Sequence, residues 1–173
     1  MNSSNFFPNL WRFAILVLIQ ALILKQVTLS VGEYFIIQLY PLFILLLPIQ
    51  MPTAFVVLLG FLVGIVVDFF YVTPGVHASA GAWSGFARAI LLVAFEPRGG
   101  FTGKEPIAAP AYFGWRWFLQ VSGLFLFLHL FWYFSVDAFT FVYFGTISLK
   151  TITAWVLSMM FVVFYGFLLN PKQ

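Results

Sequence analysis

The chain is built from continuous apolar runs, each about as long as a helix must be to cross the hydrocarbon core of a bilayer, and this limits the fold more than any other feature. The run from Thr53 to Tyr71 is the clearest, because its only charged residue is Asp68, near its end. Inside hydrocarbon every backbone amide and carbonyl must find a partner within the protein, so only helices and closed barrels can span. A barrel strand would alternate apolar and polar positions over about ten residues, whereas these runs are apolar throughout. With 63% hydrophobic and 8% charged residues in 173, and a mean hydropathy of +1.05, the composition lies far outside the soluble range. The expected fold is an all-α integral membrane protein of about six transmembrane helices in one domain, with spans at about 9–24, 34–50, 53–71, 74–95, 113–134 and 147–169.

The first span resembles a signal peptide in position, yet no small-residue cleavage pattern occurs between Lys25 and Ser30, so a retained helix is expected. The second contains Pro41 and Pro48, with Pro52 just beyond, and should be short and kinked. Residues 96–112 hold Pro97, Gly99, Gly100, Gly103, Pro106 and Pro110, a composition that resists regular structure and predicts an exposed loop. Without cysteine there is neither disulfide nor thiolate chemistry.

A net charge of +3, thinly spread, does not suit nucleic acid and serves better as a topology signal. With six spans, Arg12, Arg98, Lys104, Arg116, Lys172 and a snorkelling Arg88 collect on one side, against Lys25 and Lys150 on the other. Lysine and arginine favour the cytoplasmic side, so both termini and the 96–112 loop are expected there, with Glu33, Asp68 and Asp137 outside.

The third and fourth spans form a hairpin with a distinctive pattern. Gly60, Gly64 and Asp68 recur every fourth residue and lie along one helical stripe, and Ala78, Gly81, Gly85 and Ala89 make a second stripe on the return. Small residues so spaced let two helix backbones approach closely. Folding at about Thr73 places Gly64 near Gly81 or Ala82 and Gly60 near Gly85. Thr73 suits a helix N-cap, Pro74 the first helical position, and Gly75 a close approach.

Asp68 is the most informative residue, since an ionisable group on a buried stripe needs a partner or a task. It can accept hydrogen bonds from the free amides around Gly75 to His77, which is the stronger reading, or it can contact a ligand or partner directly. His77 either shares that bond or faces the outer surface. Arg88 is expected to snorkel to the headgroups, and His129 to bond a neighbouring helix. Side of the membrane alone would allow His77, His129, Asp68, Glu33 and Asp137 to share a metal, but no pair has ligand spacing, so neither metal nor cofactor is expected. There is no HExxH or GxSxG motif and no evident nucleophile and base at one depth, so no catalytic residues are assigned.

The stretch Leu46-Leu47-Pro48, the pattern Gly60-Phe61-x-x-Gly64-x-x-x-Asp68, and Gly75 after a short turn together resemble the rod shape-determining protein MreD family of bacterial membrane proteins. The variant Gly75-Val76-His77-Ala78-Ser79-Ala80 is similar to Bacteroidetes-type members, and the specific likeness covers about Pro41 to Phe95. The resemblance implies a fold like the substrate-binding subunits of energy-coupling-factor transporters and a non-catalytic scaffold role in the cell-elongation complex of the cytoplasmic (inner) membrane. It implies MreC as partner, with MreB, RodA and penicillin-binding protein 2 nearby, and peptidoglycan synthesis as the process supported. Partner binding or helix packing would fall to Gly60, Gly64, Asp68, Gly75, His77, Gly81 and Gly85, and cytoplasmic contacts with headgroups or filament to Arg98 and Lys104. The alternative from another class is a small-molecule-binding subunit of an energy-coupling-factor-type transporter, with an outer polar pocket around Asp68, His77 and His129.

Overall fold

A computed structural model describes residues 6–32, 34–102 and 105–169. Glu33, Gly103, Lys104 and Lys172, each used in the sequence argument, lie outside the described residues. Among those described the regular structure is entirely helical. Helix α1 (Phe6–Leu18) continues through a π-helical stretch (Ile19–Leu24) into α2 (Lys25–Val31). After it come the short α3 (Pro41–Leu45), then α4 (Thr53–Tyr71), α5 (Val76–Ala94), α6 (Pro110–Ala138) and α7 (Phe144–Leu168). Among the described residues, four helical stretches are long and apolar enough to cross a membrane: Trp11–Thr28, α4, α6 and α7. The helix α5 is as long as α4, at 19 residues, but carries the small and polar residues of the hairpin.

The second expected span is not a continuous helix. Its chain has no regular structure from Phe35 to Leu39, turns at Tyr40, forms the brief α3 and bends again through Leu46 to Gln50. Residues 37 to 47 are buried without interruption, and α3 packs against α1, α4, α5 and α6. The physical reason lies in the prolines: Pro41 can only begin a helix, Pro48 and Pro52 cannot continue one, and the stretch between is too short to span as a helix. Irregular backbone at this depth is tolerated only when protein surrounds it. Its polar groups are in fact met by side chains from elsewhere. Gln20 Nε2 donates to the Ile37 carbonyl at 3.0 Å and Gln20 Oε1 accepts from the Leu39 amide at 2.7 Å, while Ser158 Oγ accepts from the Gln38 amide at 2.9 Å.

Arg88 does the same at the other end of α3. It is 3% exposed and does not snorkel; Nε donates to the Leu45 carbonyl at 3.2 Å, and Nη2 donates to Leu47 at 2.6 Å and Pro48 at 3.1 Å. A cation at carbonyls left over by a helix C-terminus gains both hydrogen bonds and the favourable end of the helix dipole. Arg88 therefore drops out of the surface charges that set topology.

The pair α4 and α5 is the most extensive helix contact, followed by α5 with α6 and α6 with α7. The glycine stripes do pack together, one turn away from the expected register. A Cβ on Gly60 would overlap the Gly81 carbonyl oxygen, one on Gly64 would overlap the His77 and Ala78 backbone, and one on Gly85 would meet Val57 backbone at 2.6 Å. So Gly60 faces Gly81 rather than Gly85, and Gly64 faces His77 and Ala78 rather than Gly81. The helix α5 also starts later than expected, at Val76 with Gly75 (φ 86°) before it, so Thr73 and Pro74 belong to the turn.

The 96–112 loop is exposed only in part. Ile107, Ala108, Ala109 and Pro110 are buried, Ile107 and Ala109 pack with Leu46, and the Pro106 carbonyl accepts from the Ile49 amide at 3.2 Å. The apolar Ile-Ala-Ala-Pro sequence thus tucks under the broken segment, while Arg98 remains exposed. The helix α6 then begins at Pro110, breaks its helical geometry at Gly114 (φ 77°) and runs on to Ala138, so Asp137 lies in its last turn rather than in a link.

Two predictions follow from this packing. Gly60→Ala and Gly64→Ala should each destabilise by about 1–3 kcal/mol through overpacking of backbone on backbone. Gly145→Ala, whose added Cβ meets nothing within 4 Å, should be neutral within about 0.5 kcal/mol. Thermal unfolding in detergent distinguishes them. Arg88→Leu should cost about 2 kcal/mol or more, since three carbonyl contacts of a charged donor are lost inside the bundle, with Arg88→Lys intermediate.

Candidate functional site

The hairpin turn is organised by one carboxylate. Asp68 lies on the buried stripe of α4 and is 7% exposed. Its Oδ1 accepts from the His77 amide at 2.9 Å, from Thr73 Oγ1 at 2.9 Å and from His77 Nδ1 at 3.0 Å. Its Oδ2 accepts from the Gly75 amide at 3.1 Å and the Ala78 amide at 2.9 Å. The first turn of any helix leaves amides without intrahelical partners, and a nearby side chain normally satisfies them from the N-cap position. Gly75 has no side chain to offer, so an acid from the preceding helix supplies the acceptor and its negative charge meets the positive end of α5. Asp68 is thus the helix cap and turn latch, the stronger of its two expected roles.

The turn itself is tight. Val72 ends α4 in the left-handed region at φ 59° and Gly75 follows at φ 86°. Glycine takes such a conformation freely, whereas a β-branched side chain resists it. Lys25 closes the end of α4 from outside, donating Nζ to the Phe70 carbonyl at 2.6 Å and lying 5.9 Å from the centre of the Tyr71 ring.

His77 does not face the outer surface. It is fully buried, held by Asp68 through Nδ1, with ring centres of Tyr133, Tyr71 and Tyr40 at 4.7, 4.9 and 5.7 Å. The Tyr40 ring also lies 5.2 Å from that of His129, edge to face, and so links the two histidines. His129 bonds neighbouring elements as expected: its Nδ1 lies 2.6 Å from Ser84 Oγ of α5, and its Nε2 lies 2.9 Å from Gln38 Oε1 of the unwound segment. Since a carbonyl oxygen only accepts, Nε2 donates to Gln38 Oε1.

Several members of this polar core were not found from sequence. Gln20, Gln38, Tyr40, Ser84 and Ser158 are all buried. Tyr71 Oη lies between Gln20 Nε2 at 2.8 Å and the Gln20 carbonyl at 3.1 Å, so it accepts from the first and donates to the second. The only signal was their polarity within apolar spans, where a hydrogen-bonding residue needs a partner in another helix. Ser84 and His129 also correct the expectation that no hydroxyl and base share one depth. Both are fully buried, and Ser84 Oγ also lies 2.8 Å from the Ala80 carbonyl in its own helix, so this contact clamps α5 to α6 and to the unwound segment.

The expected site residues therefore separate. Asp68, Gly75 and His77 form the latch; Gly60, Gly64, Gly81 and Gly85 form the close helix contact; Arg98 stands apart on the surface. Of the residues considered for a metal, His129 is engaged at both ring nitrogens and His77 at Nδ1, and Asp137 is exposed at the end of α6.

Removing the carboxylate should matter more than weakening it. Asp68→Ala leaves buried amides of α5 without an acceptor and should cost about 3 kcal/mol, whereas Asp68→Asn keeps one oxygen and should cost about half as much. Val72→Gly should raise stability by about 1 kcal/mol through relief of the left-handed β-branched residue. Denaturation of the purified protein in mild detergent reads all three. Compared with known proteins, the chain matches no protein-family model, no curated protein and no solved structure.

Proposed function

We propose that this chain is a non-catalytic scaffold of the bacterial cell-elongation complex, of the MreD type, lying in the cytoplasmic membrane with both termini on the cytoplasmic side. The reading rests on the resemblance around Gly60, Gly64, Asp68 and Gly75, and one observation carries it further: those residues serve the internal rigidity of a hairpin. Asp68, His77 and His129, around which a transporter subunit would build a substrate pocket, spend hydrogen bonds on the protein's own backbone and side chains. That favours a structural module over a small-molecule receptor.

A rigid hairpin presents its outer face in a fixed shape. Because the glycine stripes are consumed in the contact between α4 and α5, a partner helix would meet the opposite side of α4, where Phe55, Leu58, Leu62, Ile65 and Phe69 follow one another at spacings of three and four. These residues are 44% or more exposed, and Phe86, Ile90 and Val93 extend the apolar surface of α5. The occupant we assign to the α4 stripe is the transmembrane helix of an MreC-type partner, packing by shape within the bilayer. Arg98 and Lys104 would act separately, as cytoplasmic contacts for headgroups or filament.

The absence of cysteine makes the test clean. Single cysteines at Leu62 or Ile65, cross-linked in native membranes and read by mass spectrometry, should capture the MreC-type partner, while a cysteine at Phe164 of α7 should not. Capture of a coupling ATPase with a bound small molecule would instead identify a transporter subunit, and equal labelling from α4 and α7 would remove the assigned face.

A further inference from the structure

Among the described residues, two buried side-chain polar atoms have no hydrogen-bond partner: Tyr40 Oη and His77 Nε2. Both residues are fully buried, and their rings are in contact, with centres 5.7 Å apart and planes inclined at 56°. Buried polar atoms are almost always satisfied, by protein or by an ordered water, because each unmet group forfeits its hydration. One such atom could be an isolated defect. Two in touching residues point to a shared third party.

The protonation pattern determines what that third party must be. His77 Nδ1 lies 3.0 Å from Asp68 Oδ1, which only accepts, and 2.9 Å from Thr73 Oγ1, which donates to that same oxygen, so Nδ1 carries hydrogen and Nε2 is the ring nitrogen left without a partner. Tyr40 Oη has a hydrogen to give and lone pairs to offer. Water, which both gives and accepts hydrogen bonds, can satisfy both atoms at once. The rings of Tyr71, Tyr133 and His129 pack on the same two residues at 4.7 to 5.2 Å and surround them with aromatic surface.

We propose that a single buried water molecule is bound between Tyr40 Oη and His77 Nε2, joining the hinge that opens α3 to the first turn of α5. It would tie the unwound segment to the Asp68 latch, two parts of the polar core that share ring contacts but no direct hydrogen bond through these atoms. The site is independent of the scaffold reading and would stand if that reading failed.

Solid-state NMR of the full-length, ¹⁵N-labelled protein in nanodiscs tests it, and only two histidines need assignment. Transfer of polarisation from water protons to His77 Nε2 is expected in the native protein and should weaken or vanish in Tyr40→Phe, which removes one of the water's two anchors. The same variant should unfold at a lower temperature than the native protein. Absence of water transfer to Nε2 in the native protein would overturn the proposal. So would a Tyr40→Phe variant as stable as, or more stable than, the native chain, because deleting a truly orphaned hydroxyl costs nothing.

Discussion

The carboxylate of Asp68 is the interaction on which the hairpin depends. By holding the Gly75, His77 and Ala78 amides, it brings the start of α5 alongside the last turns of α4 and so determines how the two helices are aligned. Glycine then becomes necessary wherever the two backbones meet, at Gly60 against Gly81 and at Gly64 against Ala78. The same oxygen that receives the His77 amide receives its ring, which positions the imidazole among three tyrosines. One acid thus links helix capping, helix register and the polar centre.

A second constraint explains why so apolar a protein keeps a polar centre. The segment from Phe35 to Gln50 is broken by its prolines, and its backbone cannot satisfy itself as a helix would. Gln20, Ser158 and Arg88 complete it from three different helical stretches, and its own Gln38 side chain reaches His129. Buried polar side chains here are the counterpart of irregular backbone. The π-helical stretch that carries Gln20 fits this pattern, since such a bulge re-aims a side chain that a regular helix would present elsewhere.

Much of this was legible from residue order, and the remainder failed for identifiable reasons. The all-helical fold, the hairpin and the capping role of Asp68 followed from run length, fourfold spacing and the needs of a helix N-terminus. A buried irregular stretch and a buried helix are equally apolar, so residue order alone predicts a kinked span where the segment is broken. Thr73 as an N-cap predicts a register one turn away from that observed, because the acceptor lies five residues earlier in the preceding helix. The carbonyl partners of Arg88, from Leu45 to Pro48, lie about 40 residues away in sequence, so no local pattern announces its burial. No local pattern could pair Ser84 with His129, 45 positions apart.

The hairpin stands or falls on the latch. Amide hydrogen exchange, measured residue by residue in nanodiscs, tests it most directly. The Gly75, His77 and Ala78 amides should exchange as slowly as amides in the middle of α5, and in Asp68→Asn these three should lose protection first while α6 and α7 keep theirs. If the three exchange as fast as an exposed turn in the native protein, or are unchanged by the substitution, Asp68 does not hold the hairpin and the architecture built on it would need another cause.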